Sequence, residues 1–193
     1  MEGNPTKPNK RLSEMTLEEL WHLFPIQLVE HNSEWTSQFH EEKEHLKSIL
    51  HDKKIVSISH IGSTAIKGIW SKPIVDILIE IDADENIQEV AELLVRKGYI
   101  SMCSSENRIS LNKGYTPEGF TDRVFHIHLR FSGDNVEIKF RNYLNTHPEI
   151  AKNYEALKLS LWKQYEFDRD GYTNAKSKFV LAVNELCKGY SGI

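Results

Sequence analysis

The strongest constraint on the fold is the run from Ile74 to Ile81, which is almost continuously apolar and β-branched. Such a run is typical of a buried strand at the centre of a sheet. Pro73 precedes it and fits the first residue of a strand, a position that need not donate to the ladder. Only Asp76 and Glu80 carry charge within the run. Because an ionised carboxylate in a buried strand is costly unless it is paired, Asp76 needs a structural or functional explanation.

A turn precedes this strand and suggests one explanation for Asp76. Residues 54–59 alternate polar and apolar side chains, which predicts a half-buried strand, and Gly62 and Ser63 end that pattern. Glycine leaves backbone N–H groups uncovered, so a phosphate can approach them. Mg²⁺ is commonly held by one or two carboxylates together with substrate phosphates. Asp76 is therefore a candidate metal ligand, and the alternative is a structural Asp bonded to backbone N–H groups or to arginine.

A second candidate site lies on the strand predicted for residues 124–131. Its alternation places His126, His128 and Arg130 on one face and apolar side chains on the other. Both imidazoles could therefore reach one ligand, either a phosphate or a metal ion. The alternative is the polar outer face of an antiparallel strand, which is common in such sheets.

Composition limits the class of protein. The chain has 193 residues, 39% hydrophobic and 27% charged, which favours one globular domain over two small ones. The net charge of -4 gives no strong nucleic-acid signal. Cys103 and Cys187 lack metal-site spacing and are interpreted as reduced packing cysteines of a cytoplasmic protein. Residues 1–10 are predicted to be a disordered tail, not a secretory signal, and no apolar run is long enough to cross a bilayer.

Several sequence blocks resemble the GrpB family, a branch of the nucleotidyltransferase superfamily. They are HIGST at 60–64, KPIVDILIEI at 72–81, FRNYL at 140–144, HPE at 147–149 and YTNAK at 172–176. The His-apolar-His triplet at 126–128 is also similar to a family strand. The resemblance spans residues 28–186. It implies an α/β (α+β) fold, in which helices flank a nucleotidyltransferase-like mixed β-sheet and a C-terminal helical lobe follows.

The resemblance also implies a site. The superfamily pattern begins with an apolar residue, which is followed by Gly and then by Gly or Ser, and an Asp-apolar-Asp sequence comes later. Ile61-Gly62-Ser63 and Asp76 fit this pattern, and Leu78 stands in place of the second Asp. The implied catalytic residues are Asp76, Ser63, His126 and His128, of which Asp76, His126 and His128 would bind Mg²⁺ or Mn²⁺. The implied phosphate-binding residues are Gly62, Ser63, Thr64, Lys72, Arg108, Lys113, Arg141 and Lys176.

Three functions follow as alternatives. The chain could transfer a nucleoside monophosphate from a metal-bound nucleoside triphosphate to an unknown acceptor. It could instead bind a nucleotide or another phosphorylated small molecule without turnover, because one carboxylate of the pattern is missing. The third alternative is a scaffold with a structural histidine pocket. No membrane partner is expected.

The predicted organisation has three parts. Residues 1–27 form an N-terminal extension with a tail and a short helix, residues 28–135 the α/β core, and residues 136–193 a C-terminal helical lobe of the same domain. Strands are predicted near 54–60, 73–81, 99–103, 107–113 and 123–132, backed by helices over 34–50 and 85–97. Residues 115–121 are predicted to form a mobile loop.

Overall fold

The computed structural model describes residues 10–189, so nearly all of the predicted tail, residues 1–9, lies outside the described residues. The helices are α1 (Leu17–Leu23), α2 (Glu34–Ile49), α3 (Ile87–Arg96), α4 (Val136–Thr146), α5 (Pro148–Trp162) and α6 (Arg169–Lys188). The strands are β1 (Ile55–Ile61), β2 (Val75–Ile81), β3 (Ile100–Ser104), β4 (Arg108–Thr116) and β5 (Gly119–Phe131). Between residues 10 and 189, no helix is long and apolar enough to cross a membrane.

The five strands form one mixed sheet in the order β1-β2-β5-β4-β3. Strands β2 and β5 pair in parallel, and the other neighbours are antiparallel. The apolar run therefore lies inside the sheet, where Ile77, Leu78 and Ile79 are completely buried. Burial on both faces explains why this strand is apolar at consecutive positions rather than alternate ones. The predicted mixed sheet with flanking helices is confirmed.

One face of the sheet carries the main apolar core. Helices α2 and α3 cover this face with apolar side chains at helical spacing, among them Trp35, Leu46, Val90 and Leu94. Odd-numbered residues of β2 and β5 point into this core, as Ile77 and Ile127 do. Their even-numbered neighbours, which include the charged and histidine side chains, must therefore emerge on the opposite face.

The C-terminal helices cover that opposite face. Helices α4, α5 and α6 share an apolar cluster that contains Leu144, Tyr154 and Val183. Ile66 and Ile69, from the segment between β1 and β2, complete the cluster and anchor the helices to the sheet. The predicted C-terminal helical lobe is confirmed, and its position turns the polar face of the sheet into the wall of a cavity.

The prediction of a mobile loop over residues 115–121 is wrong. Strands β4 and β5 continue through most of this range and form a hairpin, with only Pro117 and Glu118 between them. Gly114 lies within β4 at a bulge, with φ of +92°, a conformation that glycine adopts without strain. Gly114 and Pro117 are typical of loops, but here they accommodate a bulge and a tight turn.

The two cysteines differ in their surroundings. Cys187 is buried in the apolar cluster of the lobe, as a packing residue should be. Cys103 is exposed on the edge strand β3, so the packing role predicted for it is wrong. Both thiols are free.

Candidate functional site

The parallel pairing of β2 with β5 brings together the three polar residues that the sequence pointed to. Asp76 lies beside His126, and Leu78 lies beside His128. Neighbouring residues in such a ladder point to the same face of the sheet. Asp76 Oδ1 is 3.3 Å from His126 Nδ1 and 3.4 Å from His128 Nε2. One carboxylate oxygen therefore contacts both imidazoles.

The turn after β1 packs against the other carboxylate oxygen. Gly62 has φ of +71° and ψ of -173°, a combination that essentially only glycine adopts. A Cβ atom at this position would lie 2.2 Å from Asp76 Oδ2. The glycine is thus required twice, for its backbone conformation and for the close approach of the Asp76 carboxylate.

A chain of hydrogen bonds orients His126. Arg169 Nη2 donates to the Tyr115 hydroxyl oxygen at 3.1 Å, and that hydroxyl lies 2.7 Å from His126 Nε2. Burial lowers the pKa of His126 and outweighs the opposite effect of Asp76, so the ring is neutral near pH 7. Tyr115 then donates to Nε2, and the proton on Nδ1 is directed at Asp76. Both nitrogens of His126 are therefore occupied.

The carboxylate of Asp76 stays ionised. Burial by itself would raise its pKa, but the hydrogen bonds with His126 and His128 outweigh burial and hold the pKa of Asp76 below its usual range. Among residues 10–189, no three His, Cys, Asp or Glu side chains are arranged to bind one metal ion together. Asp76 is thus a charged oxygen donor, and a metal ion at this position would need further ligands from outside the described residues.

A polar pocket of about 400 Å³ lies above these residues, between the sheet and the lobe. Its lining combines Asp76, the two histidines and the Gly62-Ser63 turn with residues of α5 and α6. Four cationic side chains converge on it, namely Lys72, Lys158, Arg169 and Lys176. Two carboxylates, Asp76 and Asp170, also line the pocket, so positive charge predominates.

Two of the lysines are held in unusual surroundings. Burial, together with the nearby charge of Lys176, lowers the pKa of both Lys72 and Lys158 to about 7. The amine of Lys158 donates to the backbone oxygen of Trp70. Lys72 Nζ and Lys176 Nζ lie 5.3 Å and 5.0 Å from the ring centre of Tyr172. Because the amines of Lys72 and Lys158 are buried and held in place, an anionic ligand in the pocket would interact with them strongly.

Tyr172 adds an unused hydrogen-bonding group. Its side chain is completely buried and lines the polar pocket, and its hydroxyl has no hydrogen-bond partner in the described part of the chain. Burial raises the pKa of this phenol, so it remains protonated and can donate. A buried unpaired hydroxyl is costly, and an acceptor in the pocket would remove that cost.

The structure brings seven of the residues selected from the sequence into the pocket. They are Gly62, Ser63, Lys72, Asp76, His126, His128 and Lys176. Thr64 follows the turn directly but is buried outside the pocket, where its hydroxyl donates to the Ile74 backbone oxygen. Its side-chain oxygen also contacts His60 Nε2 at 3.0 Å. Thr64 therefore positions the turn.

Three of the selected cations lie outside the pocket lining. Arg108 forms two hydrogen bonds of 2.7 Å with Asp134. Lys113 points to the opposite face of the sheet and pairs with Glu42 at 2.7 Å. Arg141 donates to the backbone oxygen of His60 and to Asn142. Each of the three already has an internal partner, which explains its position away from the cavity.

Lys158, Arg169 and Tyr172 were not predicted to be site residues, although the sequence carries signals for them. Lys158 lies within the apolar stripe of α5, four residues after Tyr154, and a lysine in a buried stripe is as anomalous as Asp76 in its strand. Arg169, Tyr172 and Lys176 follow helical spacing on α6 and share one face. Only docking of the lobe shows that this face meets the sheet.

These features define a mixed-sheet α/β protein with a helical lobe over a cation-rich polar pocket. A family model described as GrpB protein matches residues 25–185. The chain belongs to the GrpB family, as its motifs predicted.

Individual relatives agree with this assignment. The chain is 35% identical over 170 residues to the glutamate-rich protein GrpB of Alkalihalophilus pseudofirmus, a match that covers 82% of this chain and 94% of that protein. It is 33% identical over 175 residues to UPF0157 protein YqkA of Bacillus subtilis, covering 88% of this chain but 50% of that protein. The crystal structure of conserved protein GrpB from Enterococcus faecalis superposes with a TM-score of 0.71 at 30% identity, covering 83% of this chain and 96% of that one.

Proposed function

We propose that the polar pocket binds the triphosphate of a nucleoside triphosphate and transfers the nucleoside monophosphate to an acceptor. The observation that carries this proposal is the convergence of Lys72, Lys158, Arg169 and Lys176 on Asp76 and the Gly62-Ser63 turn. Clustered cations and uncovered backbone N–H groups are suited to phosphate oxygens. The buried hydroxyl of Tyr172 supplies one more donor.

The chemistry would rest on positioning and charge. The nucleophile of the acceptor forms a bond to the α-phosphorus, the bond to the β-phosphate oxygen breaks, and pyrophosphate leaves with the electron pair. The lysines and Arg169 hold the phosphates and stabilise the charge that develops on the leaving group. Because both nitrogens of His126 are occupied, His128 is the imidazole that can accept the proton of the acceptor.

The donor set fits a metal ion in part. Asp76 supplies one hard oxygen ligand, which suits Mg²⁺ or Mn²⁺ when phosphates and water complete the shell. His126 does not fit as a ligand, because its two nitrogens face Asp76 and Tyr115. When bound, the ion would neutralise charge on the phosphates. The proposed metal ligand from this chain is therefore Asp76, with His128 beside it.

Binding without turnover is the second candidate function. At the second acidic position of the superfamily pattern the chain has Leu78. This side chain is completely buried, so no water molecule can occupy the place of the missing carboxylate. Glu80 is also unavailable, because its oxygens accept from Ser57, Gly133 and Asn135. The pocket would then be a nucleotide- or phosphometabolite-binding site with a single carboxylate.

A ligand screen followed by a transfer assay tests the proposal. Melting temperature is measured with ATP, GTP, CTP and UTP, with and without Mg²⁺ or Mn²⁺. Stabilisation by a nucleotide supports binding. Transfer of α-phosphate label to an acceptor supports turnover, and pyrophosphate release without transfer would point to hydrolysis. Absence of stabilisation by every nucleotide and by inorganic tripolyphosphate would refute both candidate functions.

Polyphosphate affinity is expected to rise about tenfold as the pH falls from about 8 to about 6. Lys72 and Lys158, with pKa values of about 7, gain protons in this window, and their ammonium forms attract phosphate. His60 does not contribute, because burial lowers its pKa to about 4.

The measurement is calorimetric titration with inorganic tripolyphosphate at both pH values. A variant carrying Lys72→Met and Lys158→Met should lose most of the pH dependence of the affinity. The change in affinity with pH that remains in this variant is assigned to the titration of tripolyphosphate itself. An identical slope in the two proteins would contradict the assignment of the two amines.

A further inference from the structure

A second cavity of about 530 Å³ adjoins the polar pocket. Gly62, Asp76 and His128 line both spaces, so a ligand bound at Asp76 can extend into either. We call this second cavity the apolar chamber. Its volume lies in the range of small-molecule sites and is sufficient for a nucleoside.

The walls of the apolar chamber suit a flat, weakly polar group. Val136 and Phe140 of α4 form one side, and Val180 and Leu181 of α6 form another. Val136 is 40% exposed and Leu181 is 62% exposed, so their apolar surface is available to a ligand. Burial of such surface against a ring would be favourable.

The polar atoms left unsatisfied in this chamber are acceptors. Asn184 Oδ1 is buried and has no hydrogen-bond partner within residues 10–189. Glu137 Oε1 accepts from Arg130 Nη2 at 2.7 Å, which fixes the carboxylate, while Glu137 Oε2 is buried and has no hydrogen-bond partner in the described part of the chain. Both residues line the chamber. Unsatisfied buried acceptors are costly, so a ligand that carries N–H groups would be selected.

We propose that the apolar chamber binds the base of the nucleotide whose phosphates occupy the polar pocket, and that it prefers bases with an exocyclic amino group. This inference rests on the proposed function. Adenine, guanine and cytosine carry an amino group that can donate to Asn184 Oδ1 or Glu137 Oε2. Uracil and hypoxanthine lack it and offer a single ring N–H. The chamber therefore favours the nucleotides of the first group over UTP and inosine triphosphate.

Calorimetric titrations with ATP, GTP, CTP, UTP, inosine triphosphate and inorganic tripolyphosphate test the inference. The wild-type protein is expected to bind the best amino-bearing nucleotide about tenfold more tightly than UTP. Asn184→Leu should reduce this preference about fivefold and leave tripolyphosphate binding unchanged. The matched control is Asn174→Leu, an exposed position on the same helix outside both cavities, which should preserve the preference.

The outcomes separate the two proposals. If tripolyphosphate binds and UTP binds as tightly as the amino-bearing nucleotides, the chamber assignment is overturned and the proposed function stands. If Asn184→Leu weakens tripolyphosphate as much as it weakens the nucleotides, its effect is structural and the assignment is also overturned. If tripolyphosphate and all nucleotides fail to bind, both proposals are wrong.

Discussion

Replacing Asp76 with asparagine is expected to remove the Mg²⁺ dependence of nucleotide binding and to reduce nucleotidyl transfer by about 100-fold or more. Within residues 10–189, this carboxylate is the only acidic group in contact with both histidines, and its pKa is held low, so under the proposed function it is the anionic group that would bind a metal ion. Asparagine retains an oxygen that accepts from His126 Nδ1. The substitution therefore removes the charge and preserves the shape of the site.

The measurement combines calorimetry of nucleotide binding, with and without Mg²⁺, and an α-label transfer assay. Asp84→Asn is the control, because Asp84 lies on the surface and pairs with Lys54. Far-ultraviolet circular dichroism and urea unfolding establish that both variants fold. A folded Asp76→Asn protein with wild-type Mg²⁺-dependent affinity would make Asp76 a structural residue.

The Gly62→Ala substitution is expected to lower the free energy of unfolding by about 3 kcal/mol. The backbone conformation of Gly62 is nearly forbidden to alanine, and the added Cβ would lie 2.2 Å from Asp76 Oδ2 and 2.8 Å from Asp76 Cγ. Either the turn or the carboxylate must move. Binding of phosphate ligands should therefore be lost together with stability.

Gly68 provides a matched control for this substitution. It has the same φ of +71°, but an added Cβ would meet nothing within 4 Å. Gly68→Ala should cost only the backbone strain, about 1 kcal/mol, and should leave ligand binding intact. Urea unfolding of both variants gives the two values. Equal losses at the two positions would show that contact with Asp76 contributes nothing.

The sheet could be predicted because its signals are local. The run from Ile74 to Ile81 indicates a strand buried on both faces, and alternation from residue 124 to residue 131 fixes which side chains face the core. The parallel register that sets Asp76 beside His126 is not local, and the family resemblance supplied that neighbourhood. The hairpin at Pro117 was not predicted, because glycine and proline are typical of loops as well as of bulges and tight turns.

Charge alone was a poor guide to the pocket. In β4, Lys113 follows Ile109 and Leu111 at every second position, so strand alternation places its side chain on the core face of the sheet. There it pairs with Glu42. Arg108 lies at the strand end and bonds with Asp134. A cation on the correct strand contributes to a site only when its face is also correct.

The contribution of the lobe could not be predicted from short patterns. Lys158 and Arg169 follow Asp76 by more than eighty residues, and they reach the pocket because α5 and α6 dock over the polar face of the sheet. Docking depends on the apolar cluster that includes Ile66 and Leu144, which involves distant segments. The helical spacing of the site residues shows that they share a face of α6, but it does not show which surface that face packs against.

Calorimetric titration of inorganic tripolyphosphate into the wild type, Lys176→Met and Lys178→Met tests most directly the central claim that the polar pocket is a polyphosphate site. Lys176 lines the pocket, and Lys178 is exposed on the same helix outside it. Saturable binding should occur in the wild type and in Lys178→Met with equal affinity, and Lys176→Met should bind about tenfold more weakly. Absence of saturable binding to the wild type, or equal affinity in all three proteins, would contradict the claim.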